Sequence, residues 1–407
     1  MKSLARRRSD TALCIRELQV PLKTIEVILS FPRGLRRGLR RCCLALCTLV
    51  LVACEGNNEQ QVAPGLQLSS VLGGDDTAGF LRADAPRTFN FPEDHGPHPG
   101  FRNEWWYLTG NLLSAEGRRF GYQLTFFSAA VPPVEDVPVS AWHSERLWMA
   151  HFALTDVETG QHYALERFSR ENPGLAGARA EPFRVWLEDW SVQAAPADAQ
   201  RWQVQVEDAA AGLALSLDLL PLKAPVLQGK QGLSQKSPEP GNASYYYSLT
   251  RLDTRGTVSV EDETFAVSGA SWLDREWSTS ALAADQSGWD WFSLQFDDGQ
   301  ELMYYQLRDD KGQAHPNSQG NWTDRAGNQT LLRADEMTLT ALASWTSPTG
   351  VSYTTTWRLR LGEREWQVRA LLPGQWMNLS IPYWEGAVEV LDAAGNRAGS
   401  GYLEMVR

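Results

Sequence analysis

From about residue 84 onward the chain is written in short runs of alternating apolar and polar residues. Phe120–Phe127, Met149–Leu154, Arg201–Val206, Tyr245–Leu249, Trp289–Phe296, Leu302–Leu307, Tyr353–Leu361 and Glu365–Ala370 carry a period of two, the spacing that places one set of side chains on one face of a strand. Gly, Asp, Asn and Pro separate the runs. Ala115-Glu116-Gly117, Asp298-Gly299, Thr349-Gly350 and Ala394-Gly395 are hairpin turn signals. No long segment carries a convincing helical period. The pattern predicts an all-β chain of antiparallel meanders. At 407 residues the chain exceeds what one core usually organises, even without its first 54 residues, so two domains are expected. Leu222–Asn242, rich in Gly, Lys, Ser and Pro, reads as a long loop over a site or as the boundary between domains.

The stretch from Phe91 to Leu112 departs from simple alternation. It contains His95 and His98, the acids Glu93, Asp94 and Glu104, and the run Glu104-Trp105-Trp106-Tyr107. Aromatics on both faces of a strand suit a wall with a core on one side and a ligand cavity on the other. The 17 tryptophans extend that reading, since tryptophan fills cores, lines apolar cavities and stacks on flat ligands.

All five cysteines lie at or before Cys54. A basic cluster at 33–41 precedes an apolar run from Cys42 to Ala53 that is too short to span a bilayer and has the form of a signal-peptide core. Its end, Leu51-Val52-Ala53-Cys54, has the form of a bacterial lipobox, predicting cleavage before Cys54 and lipidation of Cys54. Glu55 in place of aspartate favours the outer membrane. Residues 1–54 are thus expected to be a leader and 55–83 a polar tether. The leader holds 11 Lys and Arg against 3 Asp and Glu, a net +8, so its removal takes the formal charge from −11 to −19. Such a surface repels nucleic acid.

Several spaced segments together resemble the carotenoid 1,2-hydratase/AttH-like family. They are Asp94-His95-x-x-His98-Pro99 with Glu104-Trp105-Trp106-Tyr107, Ala150-His151-Phe152-Ala153-Leu154-Thr155-Asp156, Trp272-Leu273-Asp274-Arg275-Glu276-Trp277, and Gly401-Tyr402-Leu403-Glu404. The resemblance covers roughly residues 84–407. It implies a tandem of two lipocalin-like antiparallel β-barrels, divided here as 84–245 and 246–407. It also implies hydration of an isoprenoid double bond or guidance of a cyclisation, and association of secreted members with an exporter-type ABC transporter. The family's aromatic-x-Asp pattern falls on Trp272-Leu273-Asp274, which carries the general-acid role to Asp274. The histidine-x-aromatic pair upstream is replaced by Tyr245-Tyr246-Tyr247.

Asp274-Arg275-Glu276 is open to three readings. On a strand the two carboxyls share a face, roughly 6–7 Å apart at the backbone. They suit a catalytic or ligand-orienting site, a paired-carboxylate glycosidase site, or an ion cluster pinning two strands. His95 and His98 have a metal-like spacing, but Pro97 and Pro99 make a rigid loop and no His-Glu-x-x-His is present. No metal or cofactor is expected. No Gly-x-Ser-x-Gly elbow and no phosphate loop occur. The residues expected at the site are Asp274 and Glu276 as catalytic groups, with Glu104, Trp106, Tyr245, Tyr247, Trp272, Arg275, Trp277 and His98 around the ligand. The expected protein is a lipid-anchored envelope module, facing the periplasm, that binds an elongated apolar or lipid-like molecule in association with an ABC exporter. The alternative is a hydro-lyase or isomerase acting through Asp274.

Overall fold

The computed structural model describes residues 77–131, 144–172, 174–280, 282–283 and 285–407. The leader, Cys54 and most of the expected tether lie outside them. The first sheet contains β1 (Asn103–Ser114), β2 (Arg119–Ala130), β3 (Arg146–Asp156), β4 (Gln161–Arg170), β5 (Ala176–Arg179), β6 (Arg184–Leu187), β7 (Trp190–Ala195), β8 (Asp198–Asp208), β9 (Leu213–Pro221), β10 (Val226–Leu227), β11 (Leu233–Gln235), β12 (Ala243–Val260) and β13 (Glu263–Ser278). The second contains β14 (Gln286–Phe296), β15 (Glu301–Asp309), β16 (Gln319–Thr323), β17 (Gln329–Arg333), β18 (Met337–Thr346), β19 (Ser352–Leu361), β20 (Arg364–Ala370), β21 (Trp376–Met377), β22 (Tyr383–Asp392) and β23 (Arg397–Val406).

In the first sheet the spatial order is β4-β3-β2-β1-β13-β12-β9-β8-β7-β6-β5. In the second it is β17-β16-β15-β14-β23-β22-β20-β19-β18. Each sheet curls round its own apolar core, giving the tandem of lipocalin-like barrels that the resemblance implies. The strand β12, within which the division at 245/246 falls, lies wholly in the first sheet. The change of sheet comes after Ser278 and before Gln286.

The alternation maps directly onto burial where a strand has one face to solvent. In β8, Trp202, Val204 and Val206 are buried while Arg201 and Gln205 are exposed. The four turn signals close the hairpins β1–β2, β14–β15, β18–β19 and β22–β23. Gly117, Gly299, Gly350 and Gly395 sit there at φ of 91°, 85°, 86° and 85°, a region open to glycine without steric cost.

Strands β1, β12 and β13 are different. Trp106 and Leu108 of β1 join the core of the first barrel, while Trp105 and Tyr107 pack against Trp289 and Trp291 of the second. The barrels therefore meet by their outer faces. A second apolar contact joins Phe127 and Met149 to Met377, Ile381 and Tyr383. The Leu222–Asn242 segment ties the two together from the side. Lys223 Nζ lies 2.6 Å from Glu301, Ser234 Oγ lies 2.9 Å from Tyr305 Oη, and Asn321 Nδ2 donates to the Leu227 carbonyl at 3.1 Å.

Residues 87–104 cross one end of the first barrel and are pinned there by Arg275, which is fully buried. Its Nη2 donates to Glu104 Oε2 at 2.6 Å, to the Gly96 carbonyl at 2.6 Å and to His98 Nδ1 at 3.0 Å. The guanidinium lies 3.8 Å from the Trp106 ring centroid. His98 stacks on Trp277 at 3.7 Å and donates Nε2–H to Asp94 at 3.0 Å. Burial and then Arg275 push His98 below its ordinary pKa, so it stays neutral despite the carboxylates beside it.

Removing one partner of a buried ion pair leaves an uncompensated charge, at a cost of about 3–5 kcal/mol. Arg275→Leu is therefore expected to lose stability of that order in urea denaturation. Arg275→Lys is expected to recover only part of it, because an ammonium cannot reproduce the planar fork. A loss below ~1 kcal/mol for Arg275→Leu would show that the plug does not depend on this residue.

Candidate active site

Strand pairing aligns one row of side chains across the outer face of the first barrel. Ser248 pairs with Asp274, Asp274 with Tyr107, Tyr107 with Thr125 and Thr125 with His151. Paired residues on neighbouring strands share a face, with Cβ atoms about 4.5–5.5 Å apart. A second row lies on the other barrel, where Tyr305 pairs with Trp291, Trp291 with Glu404 and Glu404 with Glu385. The Asp274 end of the first row and the Tyr305–Trp291–Glu404 part of the second face one cavity, also lined by Trp105, Tyr246, Glu276, Trp289 and Lys236.

Asp274 is 3% exposed and accepts three hydrogen bonds. Ser248 Oγ and Trp272 Nε1 each donate to Oδ1 at 2.6 Å, and Tyr246 Oη bonds Oδ2. Trp291 Nε1 donates to the same phenol oxygen at 3.2 Å. Burial pushes the Asp274 carboxyl from its ordinary 3.8 up to about 7, the three donors opposing and Glu276 reinforcing the rise. Desolvation wins because aromatic rings replace water on most sides of the carboxyl. The raised value keeps the protonated acid populated towards neutral pH. Oδ1 already accepts twice, whereas Oδ2 accepts only from Tyr246, which leaves Oδ2 the oxygen with room for a proton.

The other acids are handled individually. Glu276 is paired with Lys236 Nζ at 3.2 Å. Burial opposes the charge on Lys236, but Glu276 and Tyr305 outweigh it and hold the ammonium above its ordinary pKa. Its Nζ lies 4.2 Å from the Tyr305 ring centroid. Glu404 accepts the indole N–H of Trp289 at Oε1. Glu385 accepts from Tyr107, and burial, then Glu404, push it well above the ordinary carboxylate range. Behind it, Tyr383 Oη lies 2.9 Å from His151 Nδ1, and burial lowers His151 to about 3.

Of the residues expected at one cavity, the structure brings Asp274 and Glu276 to its wall, with Trp272 directly behind Asp274. Glu104, Trp106, Tyr245, Tyr247, Arg275, Trp277 and His98 lie on the opposite side of the sheet, in the interior and end plug of the first barrel. A β-bulge explains the two tyrosines. The β12–β13 hairpin pairs Val260 with Glu263, and carried through unchanged that register would set Leu249 opposite Asp274, with Tyr245 and Tyr247 on its face. The register shifts by one between Leu249 and Leu252, so Ser248 is opposite Asp274 and Tyr246 is the phenol that reaches it. For Glu104, Trp106, Arg275 and Trp277 the signal was parity: each lies an odd number of positions from the cavity-facing Tyr107 or Asp274. Glu404 and Tyr107 lay within quoted motifs. Trp289 and Trp291 share a face in the alternating run Trp289–Phe296, and Lys236 lies in the Leu222–Asn242 segment, but neither signal pointed to this cavity.

A model of the AttH-like family matches residues 82–406. An AttH homologue from Nitrosomonas europaea, known from a crystal structure, is 32% identical with a TM-score of 0.70, over 79% of this chain and 99% of that one. Kievitone hydratase from Nectria haematococca superposes with a TM-score of 0.60 at 14% identity, over 81% of this chain and 98% of that one, a likeness of fold. No curated protein matches the sequence.

The raised Asp274 carboxyl has a consequence for stability. The folded chain holds this proton more tightly than the unfolded chain. The group therefore costs nothing below pH ~4, and the cost grows as pH rises towards about 7 and is constant above. Asp274→Asn removes the titration. The variant is expected to gain stability relative to the wild type between pH 4 and pH 8, by at most about 4 kcal/mol, as read from urea denaturation at the two pH values. A difference independent of pH would show that the folded carboxyl titrates normally.

Proposed function

The chain belongs to the AttH-like family, and from that premise we propose that it is an acid–base enzyme acting on a carbon–carbon double bond of an apolar ligand held between its barrels. The observation that supports this most is Asp274, a buried carboxyl raised to about 7 within an aromatic cavity. A pocket that only binds an apolar molecule gains nothing from ionisable acids in its wall, each of which carries a desolvation cost. A general acid gains from a pKa near the working pH.

In this reading Asp274 transfers its Oδ2 proton to one alkene carbon. The new C–H bond leaves positive charge on the neighbouring carbon. Trp105, Trp289 and Trp291, which line the cavity, stabilise that charge by cation–π attraction, as does the carboxylate that Asp274 has become. Addition of water gives an alcohol, and loss of a neighbouring proton gives a shifted double bond. Tyr246 holds the proton-bearing oxygen in place, and Ser248 and Trp272 hold the other. The lipobox at Leu51–Cys54 supports placing this activity at the cell envelope, with the protein held by a lipid on Cys54 and facing the periplasm. It also supports the second reading, a carrier that passes its ligand to or from an exporter.

The test is incubation with squalene, lycopene and farnesol in D₂O and, separately, in H₂¹⁸O, followed by mass spectrometry. The enzyme reading expects solvent deuterium on carbon and, for hydration, ¹⁸O on its neighbour. Asp274→Asn is expected to lose turnover by about 10²–10⁴-fold while tryptophan fluorescence still reports binding. Ligands that quench both proteins equally and acquire no label would favour the carrier.

A further inference from the structure

We propose that Glu404, on the second barrel, is the base of this site: it takes the proton released by water after Asp274 has given up its own. The inference rests on the acid–base reading above and adds the group that completes the proton cycle.

Three carboxyl groups line the cavity: Asp274, Glu276 and Glu404. Two of them are committed. Glu276 is ion-paired to Lys236 at 3.2 Å. Asp274 has both oxygens engaged by Ser248, Trp272 and Tyr246. Glu404 is half-buried and engaged at one oxygen only. Oε1 accepts the Trp289 indole N–H, and Oε2 accepts nothing from the described residues. A carboxylate fixed at one oxygen and open at the other is a suitable acceptor for a proton from water.

Its position is built into the sheet. Glu404 is the register partner of Trp291 and of Glu385. Gly401 lets β23 lie close against β14, since a Cβ there would sit 2.1 Å from the Ser293 carbonyl oxygen. The terminal Gly401-Tyr402-Leu403-Glu404 segment thereby acquires a role that Asp274 alone does not give it. The ionisable groups around Glu404 are Asp274 and Glu276 from β13, Tyr383 and Glu385 from β22, Tyr107 from β1, Tyr246 from β12, Tyr305 from β15 and Lys236 from the segment after β11. No histidine lines the cavity. Burial, then the fields of Asp274 and Glu276, raise Glu404 to about 7, with Trp289 opposing. Ionisation of Asp274 therefore favours the protonated form of Glu404.

The cycle balances. The Asp274 O–H bond breaks as C–H forms. The oxygen of water then bonds the cationic carbon while one of its O–H bonds breaks to Glu404 Oε2. Asp274 ends ionised and Glu404 ends protonated, and return of that proton to Asp274 through cavity water restores the start.

The experiment uses Glu404→Gln, whose amide oxygen can still accept from Trp289 so that the wall is kept. In the ligand-free protein, infrared titration of the protonated carboxyl is expected to show Asp274 titrating lower in Glu404→Gln than in the wild type, because a like charge has gone. With squalene, lycopene and farnesol, Glu404→Gln is expected to keep solvent deuterium uptake but to lose ¹⁸O incorporation about 10²–10³-fold. Glu404→Asp is expected to restore part of it. An unchanged Asp274 titration, or ¹⁸O incorporation equal to the wild type, overturns the role of Glu404 while leaving Asp274 as the acid. A wild type that introduces neither label overturns the acid–base reading, and the base with it.

Discussion

Carboxyl groups enclosed between two barrels are the constraint on which this structure turns. Asp274, Glu276, Glu404 and Glu385 all lie where the outer faces meet, and Lys236 is the one cation lining that cavity among the described residues. Taking a carboxylate out of water costs several kcal/mol unless a counter-charge or a proton compensates. One ion pair and retained protons are the compensation available here. The site is consequently poised around neutral pH by the same enclosure that forms it.

That enclosure explains why the central strands are buried on both faces. Each barrel has a packed interior of its own, so the site does not use the lumen as a simple lipocalin-like fold would suggest. The interior of the first barrel is filled by aliphatic and aromatic side chains and closed at one end by the Arg275 plug. Its rigidity is passed outward through β1, β12 and β13, whose other face carries the acid. Arg275 and Asp274 are neighbours in sequence and serve opposite sides of one sheet, one holding the scaffold and the other facing the cavity.

The all-β fold was legible because period-two alternation and glycine turns are local signals, as β8 and the four hairpins illustrate. Asp274 was legible through its aromatic setting. The faces of the strands were not, for two physical reasons. A strand buried on both sides shows no alternation, so Trp105 and Trp106 look alike from the sequence. The register also depends on a bulge at Leu249–Leu252 that no turn residue announces, and it exchanges Tyr246 for Tyr245 and Tyr247. Partners from the other barrel, such as Trp289 and Trp291, depend on a docking geometry that local pattern does not encode.

The row Ser248–Asp274–Tyr107–Thr125–His151 has a further consequence. Its members are spaced by backbone hydrogen bonding, one strand repeat of about 4.8 Å at a time, rather than by loops. The sheet therefore acts as a ruler, and functional groups can be exchanged along it without moving their neighbours. A fold that sets its chemistry on graduated marks fixes the spacing of its acid, phenol and imidazole groups in the same act that closes the barrel.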